Sequence, residues 1–327
     1  MCNSFRLYAS MIEMIACMTR IFTLTILLIS FHSNAQPNEI STQDITHFWE
    51  AYDALVDAKS KEDSIKTIEG LYLKRATKGF KKFQKVRDFQ SKYYVYHIAN
   101  SPGFWESVRP LTEQIANRED EIIEIMNKMS AEIPGFKAPK VCFAIGTLST
   151  GGTTGGGYIH IGSEISASDY TVDTTNLNGW LKSIIGKTGD IVSMVAHEAV
   201  HTNQHGNVKI TLLTASMGEG IADFITNEVL GKNINASIHE YGLKNECQLW
   251  KEFQTEMDSK SYSNWLYNGS SAIGRPADLG YFMGFRIAQA YYDKTEDKKQ
   301  ALSDLLDRSK YVEIFRKSGY SGCEEGK

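Results

Sequence analysis

Val195-Ala196-His197-Glu198-Ala199-Val200-His201 sets two histidines four residues apart with a glutamate between them. On a helix such a pair shares one face, about 6 Å apart along the axis, so both imidazoles can converge on one ion. Imidazole donors of this kind suit Zn2+. Glu198 sits beside that face and can reach a metal-bound water. Val192, Val195, Ala196, Ala199 and Val200 make the segment apolar enough for a buried helix, and Gly206 offers a stop. A zinc site that does chemistry takes three protein ligands and leaves one position for water, so a third donor is needed. His205 stands eight residues from His197, about 12 Å along a helix, too far for both to touch one ion. Glu219 is the better choice. It opens an apolar helical segment containing Ile221, Ala222, Phe224 and Ile225, and Asp223 follows four residues on, on the same face. Asp223 can then accept the outer N–H of a ligand histidine, and Gly218 and Gly220 leave no side chain to hold the two helices apart.

HEAVH followed 18 residues later by Glu219-x-x-x-Asp223 resembles the gluzincin arrangement of zinc metallopeptidases, the thermolysin-like order of motifs. More narrowly, residues 48–292 are similar to the secreted bacterial proteins known as predicted Zn-dependent proteases. Phe48-Trp49, the segment from Trp105 to Arg109, a glycine-rich hairpin, HEAVH, Gly218-Glu219-Gly220-Ile221-Ala222-Asp223 and the segment from Gly280 to Gly284 carry that likeness. The resemblance implies a zincin-like peptidase. His197, His201 and Glu219 would hold Zn2+, and the ion would lower the pKa of its water toward about 7 from about 15.7. Glu198 would take that proton and pass it to the leaving amine, while Asp223 orients a ligand histidine, His197 first. The oxyanion of such a reaction needs a donor, for which Tyr281, Arg286 and His239 contend, with Tyr281 ranked first because a glycine precedes it. The resemblance also implies a cleft-lining strand to which a peptide adds by main-chain hydrogen bonds, here the edge from Tyr158 to Ser163, with His160 on it.

The rest of the chain must position these groups. Met18-Thr19-Arg20, an apolar run from Ile21 to Phe31 and the small residues Ser33 and Ala35 read as a cleavable secretory signal over residues 1–35, in which 1–17 look like an over-extended gene start. No cysteine follows the cleavage site, which argues against a lipid anchor at that point. Eleven apolar residues are too few to span a bilayer, so no transmembrane span is expected in the mature chain, which would be secreted or periplasmic. The net charge of -4 becomes -5 once Arg6 and Arg20 are removed against Glu13, which gives no electrostatic case for nucleic acid. Cys142, Cys247 and Cys323 form no disulfide framework: thiols are expected, with a Cys247–Cys323 bridge as the alternative.

Residues 36–135 read as helical: Phe48, Tyr52 and Leu55, then Ile65, Ile68 and Tyr72, then Ile115, Ile122, Met126 and Met129 recur at helical spacing. The basic run between Lys74 and Lys92 reads as a solvated helix face. After Pro139, Val141 to Ile145 and Tyr158 to Ile161 read as strands. They are joined by a glycine-rich run over 147–157 that lacks the G-K-[ST] of a phosphate loop and suits a mobile hairpin over a cleft. Helices resume over 224–230, 243–257 and 280–292, with a loop at 269–278. The expected fold is therefore α+β and predominantly helical. A helical region over 36–135 precedes a zincin-like metallopeptidase domain with a small sheet over 136–320. The expected function is a zinc metallopeptidase acting on a peptide or protein substrate. Its alternatives are a non-catalytic envelope binding or assembly protein and a zinc hydrolase of some other substrate.

Overall fold

The computed structural model describes residues 39–186, 190–269 and 271–322. The expected signal over residues 1–35 lies outside them, as does Cys323. The chain is α+β and mostly helical, with one small mixed sheet. A short strand β1 (Ile40–Ser41) leads into helices α1 (Gln43–Asp53), α2 (Lys61–Ile68), α3 (Lys78–Arg87), α4 (Ser91–Asn100), α5 (Pro102–Glu113) and α6 (Glu119–Glu132). Next come strands β2 (Lys140–Ala144), β3 (Gly152–Gly155) and β4 (Tyr158–Gly162), then helices α7 (Ser163–Ser166) and α8 (Gly179–Ile184). The last part holds α9 (Ile191–Asn203), α10 (Leu212–Leu230), α11 (Ala236–Glu256), α12 (Leu279–Lys294), α13 (Lys298–Leu306) and α14 (Tyr311–Ser318). No helix among the described residues is long and apolar enough to cross a membrane.

The first helices turn their aromatic residues inward. Phe48, Trp49, Tyr72, Phe80, Tyr94 and Trp105 are buried, with Phe48 packed edge-on to Trp49 and Tyr72. This cluster is continuous with the core under α9 and α10, and from Glu39 onward the chain packs as one compact unit. The sheet order is β1-β2-β4-β3, with β1 and β4 both parallel to β2 and β3 antiparallel to β4. That order corrects two expectations. The expected hairpin is made not by β2 and β4, which run parallel, but by β4 and β3, the second half of the glycine-rich run itself. The stretch from Tyr158 to Ser163 is not an edge either, because β4 lies between β2 and β3. Strand β3 holds the edge beside α9. Glycine and threonine at four successive positions gave no period-2 apolar signal from which to read a strand.

Glu164, at the start of α7, ties the end of the sheet together by accepting the backbone N–H groups of Gly146 and Leu148 at 2.8 and 3.0 Å. Burial pushes its carboxyl up to about 7 from 4.5, and these two donors only partly oppose that. Its ionised form is thus disfavoured in the fold. The stability it contributes is full below about pH 4.5 and is lost as pH rises to about 7, on the order of 3 kcal/mol. Denaturant titrations across that window should fall with rising pH for the parent chain and run flatter for Glu164→Gln; parallel curves would show that Glu164 does not set the slope.

Helices α9 and α10 each start at a defined cap. The Asp190 side chain accepts from Val192 N, and Thr211 and Thr214 form a reciprocal capping box. Helix α10 begins seven residues before Glu219, so this glutamate sits in mid-helix and not at a helix start. Its glycines also divide differently from expectation. Gly218 faces open space, whereas Gly220 faces α12, where a Cβ would lie 2.1 Å from Phe285 N. Gly284 answers it from α12 against the Ser216 carbonyl. Helix α10 is therefore clamped on α12 along one face and presents Glu219 and Asp223 to α9 along another. Cys142 is a buried free thiol, and Cys247, expected as a thiol, is disulfide-bonded.

Candidate metal centre

His197 and His201 project from α9 with their Nε2 atoms 3.0 Å apart. Glu219 reaches in from α10, with Oε2 3.1 Å from His201 Nε2 and 3.7 Å from His197 Nε2. These three atoms are the corners of a triangle whose in-plane centre lies about 1.9 Å from each. That spacing suits the ordinary zinc–nitrogen distance of about 2.1 Å. Three acceptor lone pairs aimed at one point repel one another unless a cation or shared protons lie between them, so the donor set fits a metal.

The outer nitrogens of both rings are held. His201 Nδ1 lies 3.1 Å from Gln204 Oε1, an oxygen that also accepts from Arg308 at 2.9 Å. Gln204 in turn donates to the Gly218 carbonyl on α10 at 2.7 Å. His197 Nδ1 lies 2.8 Å from Asp223 Oδ1, off the line of a well-aligned hydrogen bond, and Asn235 donates to Asp223 Oδ2 at 2.7 Å. Each Nδ1 thus has a side-chain oxygen within 3.1 Å, an arrangement that suits a ring whose Nε2 faces an ion.

Charge in this pocket is shared. Burial opposes ionisation of Glu219, yet the two imidazoles hold its carboxyl well below the usual range. Burial likewise opposes a proton on His197, but Asp223 and Glu219 outweigh it and raise that ring to about 10. Glu198 is different: burial, only partly offset by the nearby imidazoles, raises its carboxyl. Its side chain lies against Gly152 of β3, where a Cβ would come 2.7 Å from Oε1.

Beside His197 and Glu198 opens a cavity of about 510 Å3, walled by Gly152 of β3, Trp180 and Ile184 of α8, Ile238 of α11 and Tyr281 of α12. The Tyr281 ring lies nearly parallel to that of His197, with centroids 6.2 Å apart. The other contenders for its role stand elsewhere. Arg286 is paired with Glu246 and Gln289, and His239 lies behind Asp223, packed against Phe285. Tyr158 bonds Glu39, and His160 stacks on Phe83 with Nε2 3.0 Å from the Gly155 carbonyl. Neither is among the described residues lining the cavity, a correction that follows from the interior place of β4.

Sequence reasoning missed three residues here. Gln204 stands three residues past His201, a spacing that could have suggested a partner at the helix end. Asn235 and Tyr267 carry no such signal. Tyr267 lies 48 residues beyond Glu219, yet its hydroxyl donates to Glu219 Oε1 at 2.5 Å.

A family model described as gliding motility protein GldB matches residues 33–322, nearly the whole chain. No curated protein and no solved structure matches it. The family match overturns the resemblance to gluzincins and to the predicted Zn-dependent proteases, and with it the zinc metallopeptidase, the hydrolase class and peptide-bond cleavage. The catalytic roles expected of Glu198 and Tyr281 fall too, while their positions stand as described. The physical reason is that two imidazoles and a carboxylate hold an ion equally well whether or not anything is turned over beside it. The motif speaks only to a donor set that could hold an ion, and the family match points to another use of it.

Proposed function

This chain belongs to the family of the gliding motility protein GldB, and we propose that it is a non-catalytic binding or assembly component of a gliding apparatus in the bacterial cell envelope. The family match over residues 33–322 is the observation that carries this reading. The bridged Cys247 agrees with an oxidising compartment on the periplasmic or outer side. The metal centre enters as a structural device: Zn2+ held by His197, His201 and Glu219 would cross-link α9 to α10 and fix one wall of the cavity. In this reading the helix pair beside a small sheet is a zincin-like layout kept for binding. The partner is a protein of the same assembly, and an extended segment of it would lie along β3. The outer main-chain edge of β3 is unpaired by any described strand, and Gly152 faces the cavity.

Complementation tests this directly. A strain lacking the gene should lose gliding and regain it with the parent chain and with Glu198→Gln, since a binding role needs no general base. A His197→Ala, His201→Ala double variant should fail to restore it. If Glu198→Gln accumulates normally and gliding stays lost, the non-catalytic reading is wrong.

A further inference from the structure

We propose that Tyr267 is a working part of the metal centre, holding Glu219 in a one-oxygen grip on the ion and coupling the ion to the cavity wall over residues 272–278. This rests on the metal reading above. The hydroxyl of Tyr267 donates to Glu219 Oε1 at 2.5 Å, while Oε2 is the oxygen that faces the imidazoles. A carboxylate with one oxygen engaged by a donor offers the other to the ion, which keeps the site near three-plus-one coordination.

Tyr267 reaches this position at a cost. Its φ is +55°, a left-handed backbone in which an aromatic residue is strained. Asp278, at the other end of the same loop, has φ +61° and a buried Oδ1 without a partner among the described residues. Two such residues bracketing one loop mark a segment held in place by its contacts and not by its own preference.

Asn268, the next residue along, supplies the link to the wall. Its carbonyl accepts from Ala272 N at 2.9 Å, and its side-chain oxygen accepts from Asp278 N at 2.8 Å, so one residue grips both ends of 272–278. Ala272, Arg275, Pro276, Ala277 and Asp278 all line the cavity. A chain of contacts therefore runs from the ion position through Glu219, Tyr267 and Asn268 to the surface a partner would meet. An ion that fixes Glu219 fixes Tyr267, and the wall with it.

The test uses the mature chain with zinc as the probe, reading affinity by chelator competition and order by hydrogen exchange over 272–278. Zinc should slow exchange of that segment severalfold in the parent. Tyr267→Phe should bind zinc about 10- to 100-fold more weakly, the usual loss when a ligand's supporting donor is removed, and show no slowing even at saturating zinc. Asn268→Ala should keep the parent affinity and lose the slowing, which separates the coupling from the grip. Equal affinity and equal slowing in Tyr267→Phe would overturn the inference while leaving the metal centre intact. A parent chain that binds no zinc would sink the metal centre itself, and this link with it.

Discussion

Gly284→Ala should leave the chain unfolded or barely folded at ordinary temperature. A Cβ there would lie 1.9 Å from the Ser216 carbonyl oxygen and 2.5 Å from its carbon, and both belong to the backbone of α10. Backbone cannot swing aside as a side chain can, so α10 and α12 would have to separate. Phe224, Ile221, Phe282 and Phe285 are buried around that contact and would lose packing together. The loss belongs with the exceptional single substitutions, more than about 4–5 kcal/mol, against a total stability of about 5–15 kcal/mol. Gly218→Ala is the matched control. It adds the same methyl to the facing helix α10, with nothing within 4 Å, and should be neutral or stabilising by up to about 1 kcal/mol. Thermal melts of the two variants decide the matter, and a Gly284→Ala protein that melts like the parent would show that the helices do not need this contact.

On the metal reading proposed above, His197→Ala should leave the chain without its ion. Structural zinc binds with an apparent free energy of about 10–16 kcal/mol, and one of three protein ligands carries roughly a third of it, about 4 kcal/mol or near a thousandfold in affinity. The loss is not softened by a spare donor. His205, the nearest other histidine in sequence, is exposed and turned toward Asp307. Metal content after dialysis, together with chelator competition, measures the effect. The parent should retain close to one zinc per chain and His197→Ala almost none. Zinc retained at the parent level in His197→Ala would remove His197 from the centre.

What the sequence disclosed follows the range of each interaction. His197 and His201 are one turn apart, and a single helical period places them on one face whatever the rest of the chain does. Glu219 was readable because few acidic residues in an apolar helical segment stand so close in sequence. Gly220 and Gly284 form the close helix contact, but nothing in their positions along the sequence names each as the other's partner. The sheet was less legible, because β3 is built from Gly152, Thr153, Thr154 and Gly155, which make a strand only when β4 offers them a ladder. Tyr267 could not be found at all, since its hydrogen bond to Glu219 depends on a left-handed turn 48 residues downstream. The function of the chain was misread for a different reason. Coordination is local chemistry that a short motif can specify, whereas the use made of it is a property of the whole fold and its setting.

Gln204 links His201 to the far end of the polypeptide. It steadies His201, and Arg308 steadies it, while the loop after α9 is stitched to the tail by His205 N to the Leu306 carbonyl and Arg308 N to the His205 carbonyl. The final segment thus acts as a brace on His201 through Gln204. Trimming the chain after α12 would remove no donor atom, yet it would let the second imidazole drift.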